Sequence, residues 1–170
     1  VGRFVPADSA LYLAASDGIT HFWAIGSANT ENADYNYGFT FIPTTTLTRE
    51  YYISWAPGTT DLSDNGSPVF VTPTVDNTII FVDYSPNDGV IDATYTLDRI
   101  QMQRIFDPDN DNTGMHIWAT NPIVVVWGED ANPAGTENPY IDAGYSILPL
   151  NQAWIDVILT IDKSADPSVI

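Results

Sequence analysis

The chain has 170 residues with 5 basic against 22 acidic side chains, a formal net charge of −17, so nucleic acid and anionic membrane surfaces are poor partners and a charged partner should be cationic. The acids divide into 18 Asp and only 4 Glu, beside 18 Thr, 12 Pro and 12 Asn; this is turn chemistry laid over a foldable core, because 44% of residues are apolar. There is no Cys, which excludes disulfides, thiolate metal sites and a cysteine nucleophile, and a length of this size fits one domain with a real core.

Short runs rich in Val, Ile, Tyr, Phe and Thr recur between Gly, Pro, Asn and Asp, the punctuation of a sandwich or barrel. In chain order the expected strands are Leu11–Ala15, Phe22–Ile25, Tyr37–Phe41, Tyr51–Trp55, Val69–Thr72 and Ile79–Tyr84. They continue with Ala93–Leu97, Gln103–Phe106, His116–Ala119, Ile123–Trp127, Tyr145–Leu148 and Ile155–Ile161. Twelve short strands predict two packed antiparallel sheets, an all-β sandwich.

Ile79–Leu97 reads as a hairpin around Ser85-Pro86-Asn87-Asp88-Gly89. Leu97, Ile100 and Ile105 keep a rough helical stripe, but the stretch is short and uncapped and reads as strand or irregular chain. Ile123–Trp127 has no polar face, as expected of a central strand covered on both sides. It is also the longest apolar run, far below the roughly 20 residues a membrane helix needs.

Residues 1–150 read as the sandwich module and 151–170 as a linker followed by one strand. In that strand Ile155, Val157, Leu159 and Ile161 share a face, and Asp156, Ile158 and Thr160 share the other. The start at Val1 and the stop at Ile170 lead us to expect a piece of a longer protein.

The sharpest chemical feature is Asp107-Pro108-Asp109-Asn110-Asp111-Asn112-Thr113-Gly114. Carboxylates at Asp107, Asp109 and Asp111, with amides interleaved and a glycine to turn the chain, are the oxygen-rich set a hard cation such as Ca²⁺ takes. The match to a helix-flanked calcium loop is partial, since Gly does not follow Asp111 and the twelfth position is Trp118. A solvated acidic turn is the competing reading. Asp83, Asp88 and Asp92, and Asp61 with Asp64, are looser acidic loops that turn chemistry explains.

Catalysis finds little footing, and the chain reads as a non-enzyme. Its two histidines, His21 and His116, sit within aromatic runs, and no nucleophile elbow, phosphate loop or H-E-x-x-H occurs. Four of the five tryptophans (Trp23, Trp55, Trp118, Trp127) lie in or at the end of apolar runs, where core packing is expected; Trp154 is the expected exposed one. Exposed aromatics could alternatively stack on sugars.

A series of short motifs carries a family resemblance: Tyr37-Gly38-Phe39-Thr40-Phe41-Ile42-Pro43, Ser54-Trp55-Ala56-Pro57-Gly58, Asn65-Gly66-Ser67-Pro68-Val69-Phe70-Val71-Thr72-Pro73, Arg104-Ile105-Phe106-Asp107, Asp111-Asn112-Thr113-Gly114-Met115 and Trp127-Gly128-Glu129-Asp130. In this order they resemble the module preceding tandem Ig-like repeats in large prokaryotic cell-surface proteins, itself distantly similar to the N-terminal region of IgG-Fc-binding proteins. The resemblance spans about Phe22 to Leu150, and 157–169 is similar to the first strand of the following repeats. It implies a secreted or cell-surface structural, assembly or adhesion module whose partners are other surface modules or copies of itself, with glycans as the alternative. Fc binding is not carried over, since no residue matches an Fc contact. The tail can open a following repeat or complete a sheet in a neighbouring subunit, building a filament.

Overall fold

The structure, a computed structural model, describes residues 8–28, 37–56, 68–85, 88–108, 111–129 and 143–149. It is all-β. The strands are β1 (Ile25–Ala28), β2 (Tyr37–Thr40), β3 (Glu50–Tyr52), β4 (Val69–Pro73), β5 (Thr78–Asp83), β6 (Ala93–Leu97), β7 (Gln103–Ile105), β8 (His116–Ala119), β9 (Ile123–Glu129) and β10 (Ala143–Ser146). One sheet runs β10-β9-β4-β7, a second runs β3-β8-β5-β6, and β1 pairs with β2 alone. Every pairing between named strands is antiparallel.

Alternation along the strands decides which faces meet. β4 places Val69 and Val71 inward opposite Trp127 and Val125 of β9, while β5 places Ile80 and Val82 inward beside Ala119 and Ile117 of β8. These side chains join Tyr51, Ile105 and Met115 in one buried cluster between the sheets. Burying each side chain of this size contributes roughly 1.5–3 kcal/mol. A buried hydrogen bond also ties the layers, the Tyr51 hydroxyl donating to the Ile123 carbonyl at 2.6 Å. Burial pushes the Tyr51 hydroxyl pKa up.

The hairpin expected over 79–97 is present as β5 and β6, paired from Thr78↔Leu97 to Val82↔Ala93. The weak helical stripe ends instead in a turn, with Asp98 accepting from Asn77 N–H and Asp76 from Arg99 N–H. β9 is central, with Val125 and Trp127 buried inward and Val126 buried on the other face. Gly26 of β1 faces the Phe39 ring across the hairpin; a Cβ there would lie 2.8 Å from the ring, so only glycine lets Phe39 cross.

Two expectations are corrected. Leu11–Ala15 is irregular, as is 22–24 ahead of β1, and Leu11, Tyr12, Leu13, Phe22 and Trp23 are exposed. This segment is held to the sandwich by backbone bonds around Asp8–Ala10 and by Arg99 over the Tyr12 ring, 5.0 Å from its centroid. Of the four tryptophans expected in the core, Trp127 alone is fully buried; Trp23 is 80% and Trp55 55% exposed, and Trp118 is half-buried on an outer face. The strand expected at 155–161, with Trp154, lies outside the described residues.

Candidate functional site

The outer face of β3-β8-β5-β6 carries a ladder of rings. The strand register sets Tyr52 opposite His116 and Trp118 opposite Phe81, and two-residue spacing puts His116 and Trp118 on one side of β8. Tyr52 and His116 lie 4.2 Å apart at 2°, His116 and Trp118 4.7 Å apart at 25°, and Trp118 and Phe81 5.5 Å apart at 24°. Planes this close and this parallel are stacked face to face, so the ladder turns ring edges to solvent. Tyr52, on the edge strand, is 48% exposed.

Glu50 stands two residues before Tyr52, and its Oε1 lies 3.0 Å from His116 Nε2. Asp83, in register with His116 on the far side, is buried and accepts from the Ser85 N–H. Cross-strand aromatic pairs contribute roughly 0.2–1 kcal/mol each. The ladder therefore fastens the three-residue β3 to its sheet. His116 is a packed histidine, held between two rings and a carboxylate.

The second feature is an uneven charge distribution. At one end, Tyr52–Ala56, the turn between Asp83 and Asp92, and the loop from Asp107 to Met115 come together, bonded by Asn112 N–H to the Ala56 carbonyl and Gly114 N–H to the Ile53 carbonyl. Gly114 has φ +93, a conformation that favours glycine. Asp83, Asp88, Asp92, Asp107 and Asp111 belong to these segments, which hold no Lys or Arg. Asp61, Asp64, Asp130, Glu137 and Asp142 lie outside the described residues.

Tyr84 reports the local field. Burial first, then neighbouring Tyr95, then the negative charges of Asp107 and Asp92, push its hydroxyl pKa up to about 12.

The three carboxylates singled out for Ca²⁺ fare differently. Asp107 is buried, with its N–H donating to Asn112 Oδ1, while Asp111 is exposed and accepts from the Thr113 N–H. Asp109 lies outside the described residues. Among the described residues no group of three His, Asp or Glu side chains is placed to hold a metal ion. Nor is any described helix long and apolar enough to cross a membrane.

Sequence reasoning missed the ring ladder. Its one local signal is the i, i+2 spacing of Glu50 with Tyr52 and of His116 with Trp118. What joins the pairs is a register between strands about 66 positions apart.

No family model, curated protein or solved structure matches the chain.

Proposed function

We propose that the chain is a non-catalytic β-sandwich module of a secreted or cell-surface prokaryotic protein, serving assembly or adhesion, and that copies join when the strand 155–161 of one adds to a sheet edge of another. The observation that carries this reading is the state of β6. It ends its sheet among the described residues, has the sequence Ala-Thr-Tyr-Thr-Leu, and carries no charge or proline. Its inward side chains Ala93, Tyr95 and Leu97 pack against the core yet stay half-buried. Proteins ordinarily protect such an edge, because its unpaired N–H and C=O groups template a further strand.

The other edges are less suited. β3 and β7 have three residues each, and β10 is flanked by β2, with the Ser146 hydroxyl donating to the Thr40 carbonyl. In the sequence of 155–161 an apolar row alternates with Asp156, Ile158 and Thr160, so on addition its apolar row would extend the inward row of β6. The motif series that resembles surface-protein modules supports the same reading. Ca²⁺ bound by Asp107, Asp109 and Asp111 would stiffen the acidic end.

The test is light scattering across a concentration series. The full chain should form oligomers that are lost on ending it at residue 150, and lost equally with Thr94→Lys and Thr96→Lys on the exposed side of β6. Unchanged oligomers in either case, or a full chain that stays monomeric, would refute strand addition.

A second reading, carbohydrate binding, draws on the exposed indoles of Trp23 and Trp55. It expects hits on a glycan array that Trp55→Ala removes.

A further inference from the structure

We infer that the Tyr52 edge of the ring ladder is a docking surface for a basic, arginine-bearing segment of a partner protein. Three observations converge there. First, the rings of His116, Trp118 and Phe81 face one another, so Tyr52 ends the stack at the margin of the sheet, 48% exposed and with no second ring stacked on it among the described residues. A single ring face suits a guanidinium better than it suits a row of sugars, which needs several faces in one plane.

Second, the Glu50 carboxylate lies beside that ring, 47% exposed at its side chain and already bonded through Oε1 to His116 Nε2. A guanidinium laid on Tyr52 reaches it as a planar donor, whereas an ammonium engages it only as a point charge. Third, the charge is complementary on both the local and the whole-chain scale. Among the described strands of this sheet the outward side chains include Glu50 and Asp83 but no Lys or Arg, and Tyr52 runs directly into the acidic end through 53–56. A net charge of −17 draws a polycation in before any contact forms. The surface goes beyond the assembly reading and does not depend on 155–161.

The experiment measures binding of two synthetic probes to the full chain at low and moderate salt: a dodecapeptide alternating Arg and Ser, and its Lys counterpart. The Arg peptide should bind several-fold more tightly than the Lys peptide. Tyr52→Ala and Glu50→Gln should each weaken the Arg peptide about three- to fivefold, Tyr52→Phe by less than twofold, and Asp111→Asn at the acidic end by less than twofold, with melting curves confirming folded variants. Glu50→Gln and Tyr52→Phe keep the test valid if Tyr52→Ala fails to fold. Equal binding of both peptides, losses that follow Asp111→Asn and ignore Glu50→Gln, or Tyr52-dependent binding of a neutral hexasaccharide without peptide binding, would each overturn the proposal.

Discussion

The two ends of the sandwich are built from the same residue type and put it to different use. At the end holding Thr74–Asn77, Asp98–Gln101 and Thr120–Pro122, each carboxylate is an acceptor in a turn: Asp98 for Asn77 N–H and Asp76 for Arg99 N–H. Side chains lock the same turns, with the Thr74 hydroxyl donating to the Pro122 carbonyl and Asn121 to Thr78, and Arg49 and Arg99 belong to this end. At the opposite end Asp83, Asp88, Asp92 and Asp111 cap turns as well, and the segments that carry them hold no Lys or Arg, with Arg104 of β7 three residues before Asp107. Turn-making alone explains an aspartate; it does not explain why so many are gathered at one end. Self-repulsion there is a stability cost that a cationic partner or Ca²⁺ would remove.

The largest effect should come from the core beneath the acidic end, where Trp127 meets Trp55 edge-on at 5.4 Å and Tyr145 at 5.5 Å. Trp127→Ala should cost about 3–5 kcal/mol in urea unfolding, enough to melt both ends together. Next, Tyr51→Phe deletes the inter-sheet hydrogen bond to Ile123 and should cost about 1–2 kcal/mol.

A matched pair then sets the ends against each other. Asp98→Ala, which removes the acceptor for Asn77 N–H, should lower stability by about 1 kcal/mol at any ionic strength. Asp88→Asn keeps an oxygen for Val90 N–H while deleting a charge, and should raise the melting temperature at low salt, the gain vanishing at about 0.5 M. A gain that persists in salt would mean that repulsion is not the cause. The smallest effect is alkaline. The Tyr84 pKa is raised, so its share of stability is full below the ordinary phenol pKa near 10 and is lost as pH climbs through about 12. Ultraviolet titration should show Tyr84→Phe removing one late-ionising phenol.

Much of the fold was legible in the sequence because period two is a local signal. Ala93–Leu97 and His116–Ala119 emerge with the expected bounds, and the all-apolar Ile123–Trp127 is central. Failures arise where local pattern does not decide partnership. Leu11-Tyr12-Leu13 has strand composition but joins no sheet, and Trp55 follows a strand pattern yet lies past the end of β3. The candidate site was less legible. Acidic loops are visible in sequence, but their gathering at one end follows from strand directions, and the ladder follows from a register set by tertiary pairing.

Assembly through β6 can be tested directly because the chain contains no cysteine, so any thiol introduced is unique. Two single variants are mixed under oxidation, one carrying Thr94→Cys or Thr96→Cys on β6, the other Thr160→Cys on the matching face of the added strand. Strand addition between copies predicts a disulfide linking the two different variants, with little of either homodimer. Absence of that mixed dimer at concentrations where the full chain is oligomeric would contradict it.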